Sequence, residues 1–226
     1  MIPHPFEYHA PKSLQEASQL VAQFGSDGKI LAGGHSLIPL MKLRLAAPRH
    51  LIDLGRIPNL SYIRQEREKL LIGAMTTHFQ LESSELLRNR CPLLPETARE
   101  IGDAQVRNKG TLAGSLAHAD PAADWPAAIL ALDAELMAVS ARGQRWIAAR
   151  DFFVDFLTTS LSSDEILAEI RVPMLPPRGG EACAKMHHPA ARQIINQFFA
   201  AFGKQLSLVS SPPPTPVEQG TPTTNP

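Results

Sequence analysis

The chain has 226 residues, 44% of them hydrophobic, with a formal net charge of zero. That is enough apolar material for one large domain or two small ones with a real core. A neutral balance argues against a nucleic-acid or membrane-surface partner, and no run of about 18 apolar residues is present to span a bilayer.

The opening Met-Ile-Pro-His-Pro-Phe-Glu-Tyr lacks both a basic and an apolar signal region, so a cytoplasmic location is expected. Residues 6–9 read as a short strand. Ser13 is placed to cap a helix with Glu16 at the capping-box position, and Leu14, Ala17, Leu20, Val21 and Phe24 recur at helical spacing. Gly25 and Gly28 end that helix. Ile30, Leu31 and Ala32 then close a buried strand, Gly33 and Gly34 turn the chain, and Ser36 is placed to cap a helix over 37–45. Pro48 stops this helix, and His50-Leu-Ile-Asp-Leu is a further strand. The alternation β-α-β-α-β within residues 1–55 implies a small parallel sheet with covering helices.

From residue 56 the pattern changes. Tyr62-Ile63-Arg64 and 69–73 read as a hairpin, Thr77 begins a helix, and Cys91 to Ile101 carries a second. Residues 136–140 and 145–148 form another hairpin, 151–156 a helical turn, and 166–172 the last strand. Short antiparallel strands with interspersed helices make 56–177 an α+β subdomain. Residues 191–208 read as an apolar helix, within a helical segment 178–210. Six prolines in the last sixteen residues leave 211–226 unable to build a core.

Two stretches carry candidate chemistry. In the first, a strand, the Gly33-Gly34 turn and a helix start can form an anion site, because the first helical N–H groups lack internal partners and the dipole is positive there. A lone Gly-Gly turn is a weak signal, equally compatible with a mere tight turn. In the second, Gly102, Gly110 and Gly114 punctuate a long loop of small residues over 101–126, with hydroxyls on Thr111 and Ser115. Asp124 follows; it is either the N-cap of a helix at 125–132 or an acceptor for sugar-like hydroxyls. Two glycine turns in two subdomains suit a ligand with two phosphates, although no Gly-x-Gly-x-x-Gly is present. Cys91 and Cys183 read as packing residues, and two thiols cannot hold an iron–sulfur cluster. His35 reads as a phosphate donor or as solvent-exposed. His118, the pair His187-His188 and the tryptophans Trp125 and Trp146 read as structural, and Arg107 and Lys109 as charges on the rim of a cleft.

Ala32-Gly-Gly-His-Ser-Leu-Ile-Pro-Leu-Met-Lys-Leu-Arg-Leu, Ile52-Asp-Leu and the run Ile101 to Asp124 together resemble the FAD-binding medium subunit of molybdenum hydroxylases, of the carbon monoxide dehydrogenase and xanthine dehydrogenase type. The resemblance covers about residues 1–190. It implies the two-subdomain α+β FAD-binding fold shared with vanillyl-alcohol oxidase relatives. It also implies a first pyrophosphate loop at Ala32, Gly33, Gly34, His35 and Ser36, flanked by Leu31 and Leu37. Thr111, Gly114 and Ser115 match the second loop, with Ala113 and Ser115 departing from the Thr-x-Gly-Gly-Asn form. Asp124 matches a residue at the ribityl chain, Ile101 and Gly102 the segment near the isoalloxazine, and Lys185 a lysine near the flavin, with Lys29 approaching the first loop. Partners implied are a molybdenum-cofactor large subunit and a small subunit with two [2Fe–2S] clusters, whose electrons pass through FAD to an external acceptor. After Ala190 the chain departs from the family's third domain, so a truncation or frameshift is expected. The competing expectations are a flavin-free scaffold and a stand-alone FAD oxidase.

Overall fold

The structure is a computed structural model, described here over residues 2–174. Lys185, Cys183, His187-His188, the helix expected at 191–208 and the proline-rich tail lie outside the described residues.

The first part follows the expected alternation: β1 (Glu7–His9), α1 (Leu14–Phe24), β2 (Gly28–Leu31), α2 (Leu37–Lys42) and β3 (His50–Asp53). The three strands are parallel in the order β1-β3-β2, with His50 opposite both Glu7 and Gly28. Ser13 accepts from the Glu16 N–H at 3.1 Å, and the Glu16 carboxylate reaches back to the N–H of Lys12 at 2.8 Å. This reciprocal pair fixes the start of α1. The helix after the glycine turn is shorter than expected, ending at Lys42 rather than 45, and Leu45 is exposed. Ser36 makes no side-chain capping bond; its φ of −103° and ψ of −51° are already helical, not the extended geometry a capping side chain needs.

The second part comprises β4 (Ile63–Glu66), β5 (Lys69–Gly73), α3 (His78–Ser83), α4 (Glu85–Arg90), α5 (Leu93–Arg99), α6 (Ala104–Lys109), α7 (Leu112–His118), α8 (Trp125–Ala131), β6 (Glu135–Ser140), β7 (Gly143–Ala148), α9 (Ala149–Phe152), β8 (Phe153–Asp155), β9 (Thr158–Thr159) and β10 (Ile166–Pro173). Thr77 and Gln80 form a full capping box at α3. Helix α4 was not foreseen: Ser84 ends one helix and caps the next, accepting from the Leu87 N–H, so no turn residue marks the break. The expected turn at 151–156 is instead the end of α9 followed by β8, which pairs with β9. The expected loop at 101–126 is mostly helical, for a reason given below.

Five strands form an antiparallel sheet in the order β4-β5-β10-β6-β7. Its helix-covered face holds the larger core, built from Leu70, Ile72, Leu136, Ile170 and Val172 on strands and from Leu81, Leu94, Leu116, Trp125, Ile129 and Phe152 on helices. Cys91 and Trp125 are fully buried there, as packing residues should be.

β10 is buried on both faces along its first half. An irregularity between Leu167 and Glu169 shifts the register, so that Leu167 and Ile170 pair with Ala138 and Leu136, on one face, while Ile166 and Glu169 pair with Val139 and Met137, on the other. Ile166 therefore leaves the larger core and joins a smaller one with Ala17, Val21, Ile52, Leu54, Ile57 and Leu60. Helix α1 thus packs between the small sheet and the back of the large one. Glu169, buried on that same back face, accepts a hydrogen bond from the Tyr62 hydroxyl and lies 3.7 Å from the Arg64 guanidinium. Both partners offset the desolvation of a buried carboxylate.

Candidate functional site

The loop 32–36 leaves β2 at Leu31 and enters α2 at Leu37. Gly34 adopts φ +75°, in the left-handed region that glycine occupies without penalty. Gly33 has no room for a side chain: a Cβ there would sit 2.2 Å from the Lys109 carbonyl oxygen and 2.7 Å from the Gly110 Cα. The backbone of the first glycine turn therefore rests directly on the backbone of the second motif. Ala32 adjoins the same region, since a Cβ on Gly114 would lie 3.5 Å from the Ala32 Cβ. The two motifs, some eighty residues apart, are one surface.

On the first side the donors are backbone groups. Among the described residues, no carbonyl accepts the N–H groups of Gly33, Gly34, His35 or Ser36. Successive unpaired N–H groups around a left-handed glycine make a concavity for an anion. This differs from the sequence expectation in its source. With α2 only six residues long, the loop amides rather than a helix dipole supply the donors. The His35 ring folds back onto the loop, its Nδ1 3.0 Å from the Gly33 carbonyl oxygen. A carbonyl only accepts, so Nδ1 carries the proton.

On the second side the expected loop is two short helices meeting at Gly110. Asp103 accepts from the Val106 N–H and caps α6; Thr111 accepts from the Gly114 N–H at 3.2 Å and caps α7. Small residues disguised both helices: the large apolar side chains are Val106 alone in α6 and Leu112 and Leu116 in α7, too few to read as a stripe. Thr111 is buried with its oxygen turned onto Gly114, so its hydroxyl hydrogen is what remains to offer. Ser115 lies on the next turn, half-buried.

His78 was missed by sequence reasoning, although the Thr77–Gln80 capping box does place it first in a helix. It holds the second motif in place. Its N–H donates to the Gly110 carbonyl at 3.0 Å, and Thr76 accepts from the Leu112 N–H at 3.1 Å. Its ring lies against Gly110, where a Cβ would come within 2.7 Å of Nε2. The Trp125 indole N–H donates to Nδ1 at 3.1 Å, so the neutral ring keeps its proton on Nε2. Burial, with a smaller contribution from nearby His35, pulls its pKa from 6.5 down to about 4.

The remaining expected residues are distributed as follows. Ile101 and Gly102 precede α6, and their carbonyls accept from Arg107 Nη1 at 3.0 and 3.1 Å. Arg107 Nε also meets the Glu82 carboxylate at 2.9 Å, so Arg107 straps the segment to α3 instead of serving as a rim charge. Asp124 opens α8 but makes no capping bond with its side chain, at variance with a plain N-cap. Its neighbour Trp125 is the residue bonded to His78. Leu31 flanks the turn, its Cδ1 3.2 Å from where a Gly34 Cβ would be. Lys29 is exposed at the far end of β2.

Comparison with known proteins gives the geometry a context. Residues 4–175 match the family described as the FAD binding domain in molybdopterin dehydrogenase. The carbon monoxide dehydrogenase medium chain of Hydrogenophaga pseudoflava is 49% identical over 186 residues, covering 82% of this chain and 65% of that one. The 6-hydroxypseudooxynicotine dehydrogenase complex subunit alpha of Paenarthrobacter nicotinovorans is 41% identical over 182 residues, covering 80% and 62%. A solved carbon monoxide dehydrogenase from Hydrogenophaga pseudoflava, lacking the Mo-pyranopterin moiety, superposes with a TM-score of 0.82 at 49% identity, covering 83% of this chain and 66% of that one. The chain thus spans a little under two thirds of the length of these relatives. The matched segment takes in both glycine motifs, β10 and every described element, and on that basis the chain belongs to the family of FAD-binding domains of molybdopterin dehydrogenases.

Proposed function

We propose that this chain binds FAD across the contact between its two glycine motifs and serves as the electron-transfer flavoprotein subunit of a molybdenum hydroxylase. The observation that carries this reading is the backbone contact of Gly33 with Lys109 and Gly110, beside four unpaired amides. A diphosphate presents oxygens on all sides and needs donors from more than one direction without intervening side chains. The amides of 33–36 donate from one side, and glycine at 33 and 114 lets the two motifs lie against each other, so that donors from both reach one ligand. The Thr111 and Ser115 hydroxyls extend the donor set. The Asp124 carboxylate, at the start of α8, accepts from ribityl hydroxyls. Leu31, Ala32 and Leu37 flank the loop, Ile101 and Gly102 border the ring system under the Arg107 strap, and Lys185 completes the set; Lys29, expected to approach the loop, stands at the other end of β2 and is left out. When bound, FAD supplies the redox chemistry, and the protein contributes binding and electrostatics.

In this reading the partners are a molybdenum-cofactor large subunit and a small subunit with [2Fe–2S] clusters. The relatives' names, a medium chain and a complex subunit, support a multi-subunit setting. The visible spectrum of the purified full chain, reconstituted with FAD, is the direct test. Bound-flavin absorption near ~450 nm at one equivalent per chain is expected. A folded chain that stays colourless would overturn the reading and favour a scaffold role.

A further inference from the structure

A second cluster of chemistry-bearing side chains lies at the opposite end of the small sheet. Glu7 and His9, two apart on β1, share a face, and His50 enters that face from β3, where it pairs with Glu7. His9 Nε2 and His50 Nδ1 are 3.2 Å apart. One and the same Glu7 oxygen, Oε2, lies 3.4 Å from His50 Nδ1 and 3.9 Å from His9 Nε2. A triangle with these sides has a circumradius of about 2.0 Å, so one point is equidistant from all three donors at the zinc–ligand bond length of about 2.0–2.1 Å.

We propose that Glu7, His9 and His50 form a binding site for a divalent transition metal, with zinc as the fitting ion. The two imidazoles are borderline nitrogen donors that favour Zn2+ over Ca2+ or Mg2+, which take oxygen, and zinc also accepts the one hard carboxylate oxygen. Three protein ligands leave the fourth tetrahedral position to water. The imidazoles are set in place by packing: Phe24, at the end of α1, stacks on His50 with centroids 3.8 Å apart and planes 6° off parallel, and lies 4.8 Å from the His9 ring. Preset ligand rings lower the entropy lost on binding. A hydrogen bond between the two imidazoles explains their 3.2 Å approach, but it does not bring the same carboxylate oxygen up to both rings.

The site is separate from the glycine motifs. In the parallel sheet, Glu7, Gly28 and His50 lie abreast at the strand starts, whereas the 32–36 loop follows the strand ends. His9 lies two residues further along, level with Ile52 and Ile30, but β3 stands between β1 and β2, the strand that leads into the loop, which puts about 10 Å between them. The metal therefore acts as a clamp joining β1, only three residues long, to β3.

The test titrates zinc chloride alone into the full chain, purified without an affinity tag and freed of metal with a chelator. One tight equivalent is expected. Glu7→Gln, His9→Ala and His50→Ala should each weaken it at least tenfold, with folding followed by circular dichroism. Absence of a tight equivalent, or affinity unchanged by any one of the three substitutions, overturns the site. X-ray absorption at the zinc edge of the unsubstituted chain decides the matter even if the histidine variants misfold. Two imidazoles in a first shell of nitrogen and oxygen support the site; sulfur ligands, or fewer than two imidazoles, overturn it.

Discussion

Gly33 and Gly114 exclude side chains for different reasons, and that difference can be measured. A Cβ on Gly33 would strike the Lys109 carbonyl at 2.2 Å, and backbone atoms on both sides cannot rotate away. A Cβ on Gly114 meets the Thr111 hydroxyl at 2.7 Å, and a side chain can turn. Gly33→Ala should therefore separate the two motifs, costing about 1–3 kcal/mol in stability and lowering FAD affinity more than tenfold by titration. Gly114→Ala should keep the fold and weaken FAD only a few-fold. His78 gives a pH signature. Its folded pKa, about 4, is depressed below the 6.5 of the unfolded chain, so between those values the unfolded state binds the extra proton. The stabilisation is complete above pH 6.5 and is lost as pH falls toward 4, at roughly 1.4 kcal/mol per unit. Thermal melts should show a falling Tm across that window, flattened in His78→Asn.

At the scale of elements, β10 does two jobs. Ile170 and Ile166 are each about 1% exposed or less, but the shifted register turns them into different cores. Replacing either with alanine should destabilise the chain by about 2–5 kcal/mol in denaturant melts. Only Ile166→Ala loosens the packing of α1 and the small sheet that carries the 32–36 loop. It should therefore also weaken FAD binding, while Ile170→Ala leaves the affinity of the remaining folded chain near that of the parent. The alternation of apolar residues over 166–172 concealed this, because an unbroken strand would put Ile166 and Ile170 on one face. Helix α4 and the pair α6–α7 were concealed similarly, one by a shared serine cap and the others by small residues that leave too few large apolar side chains to read. By contrast, α1, the two hairpins and the parallel sense of the small sheet, though not its strand order, were legible, since each carries caps, turn residues or regular alternation.

At the scale of the whole described region, two cores share one strand, and the two glycine motifs meet where loops from both parts come together. As the proposed relay, the chain would bind and orient FAD while another subunit handles the substrate. The chain loaded with FAD should be reduced by dithionite but not by small organic substrates offered alone, followed as bleaching of flavin absorbance. Substrate-dependent bleaching without other subunits would instead establish a stand-alone oxidase. No helix among the described residues is long and apolar enough to cross a membrane.

The linear chain determined the local pieces: Ser13 and Glu16 start a helix, Gly33-Gly34 turns a strand, and a second glycine-and-hydroxyl run begins near residue 101. These depend on neighbours within one helical turn, which sequence displays directly. That Gly33 touches Gly110, that His78 holds Gly110 and Trp125 together, and that Glu7, His9 and His50 converge was decided only by folding. Each of those contacts joins residues from separate elements, and close packing of backbones and rings, not any local preference, sets their distance.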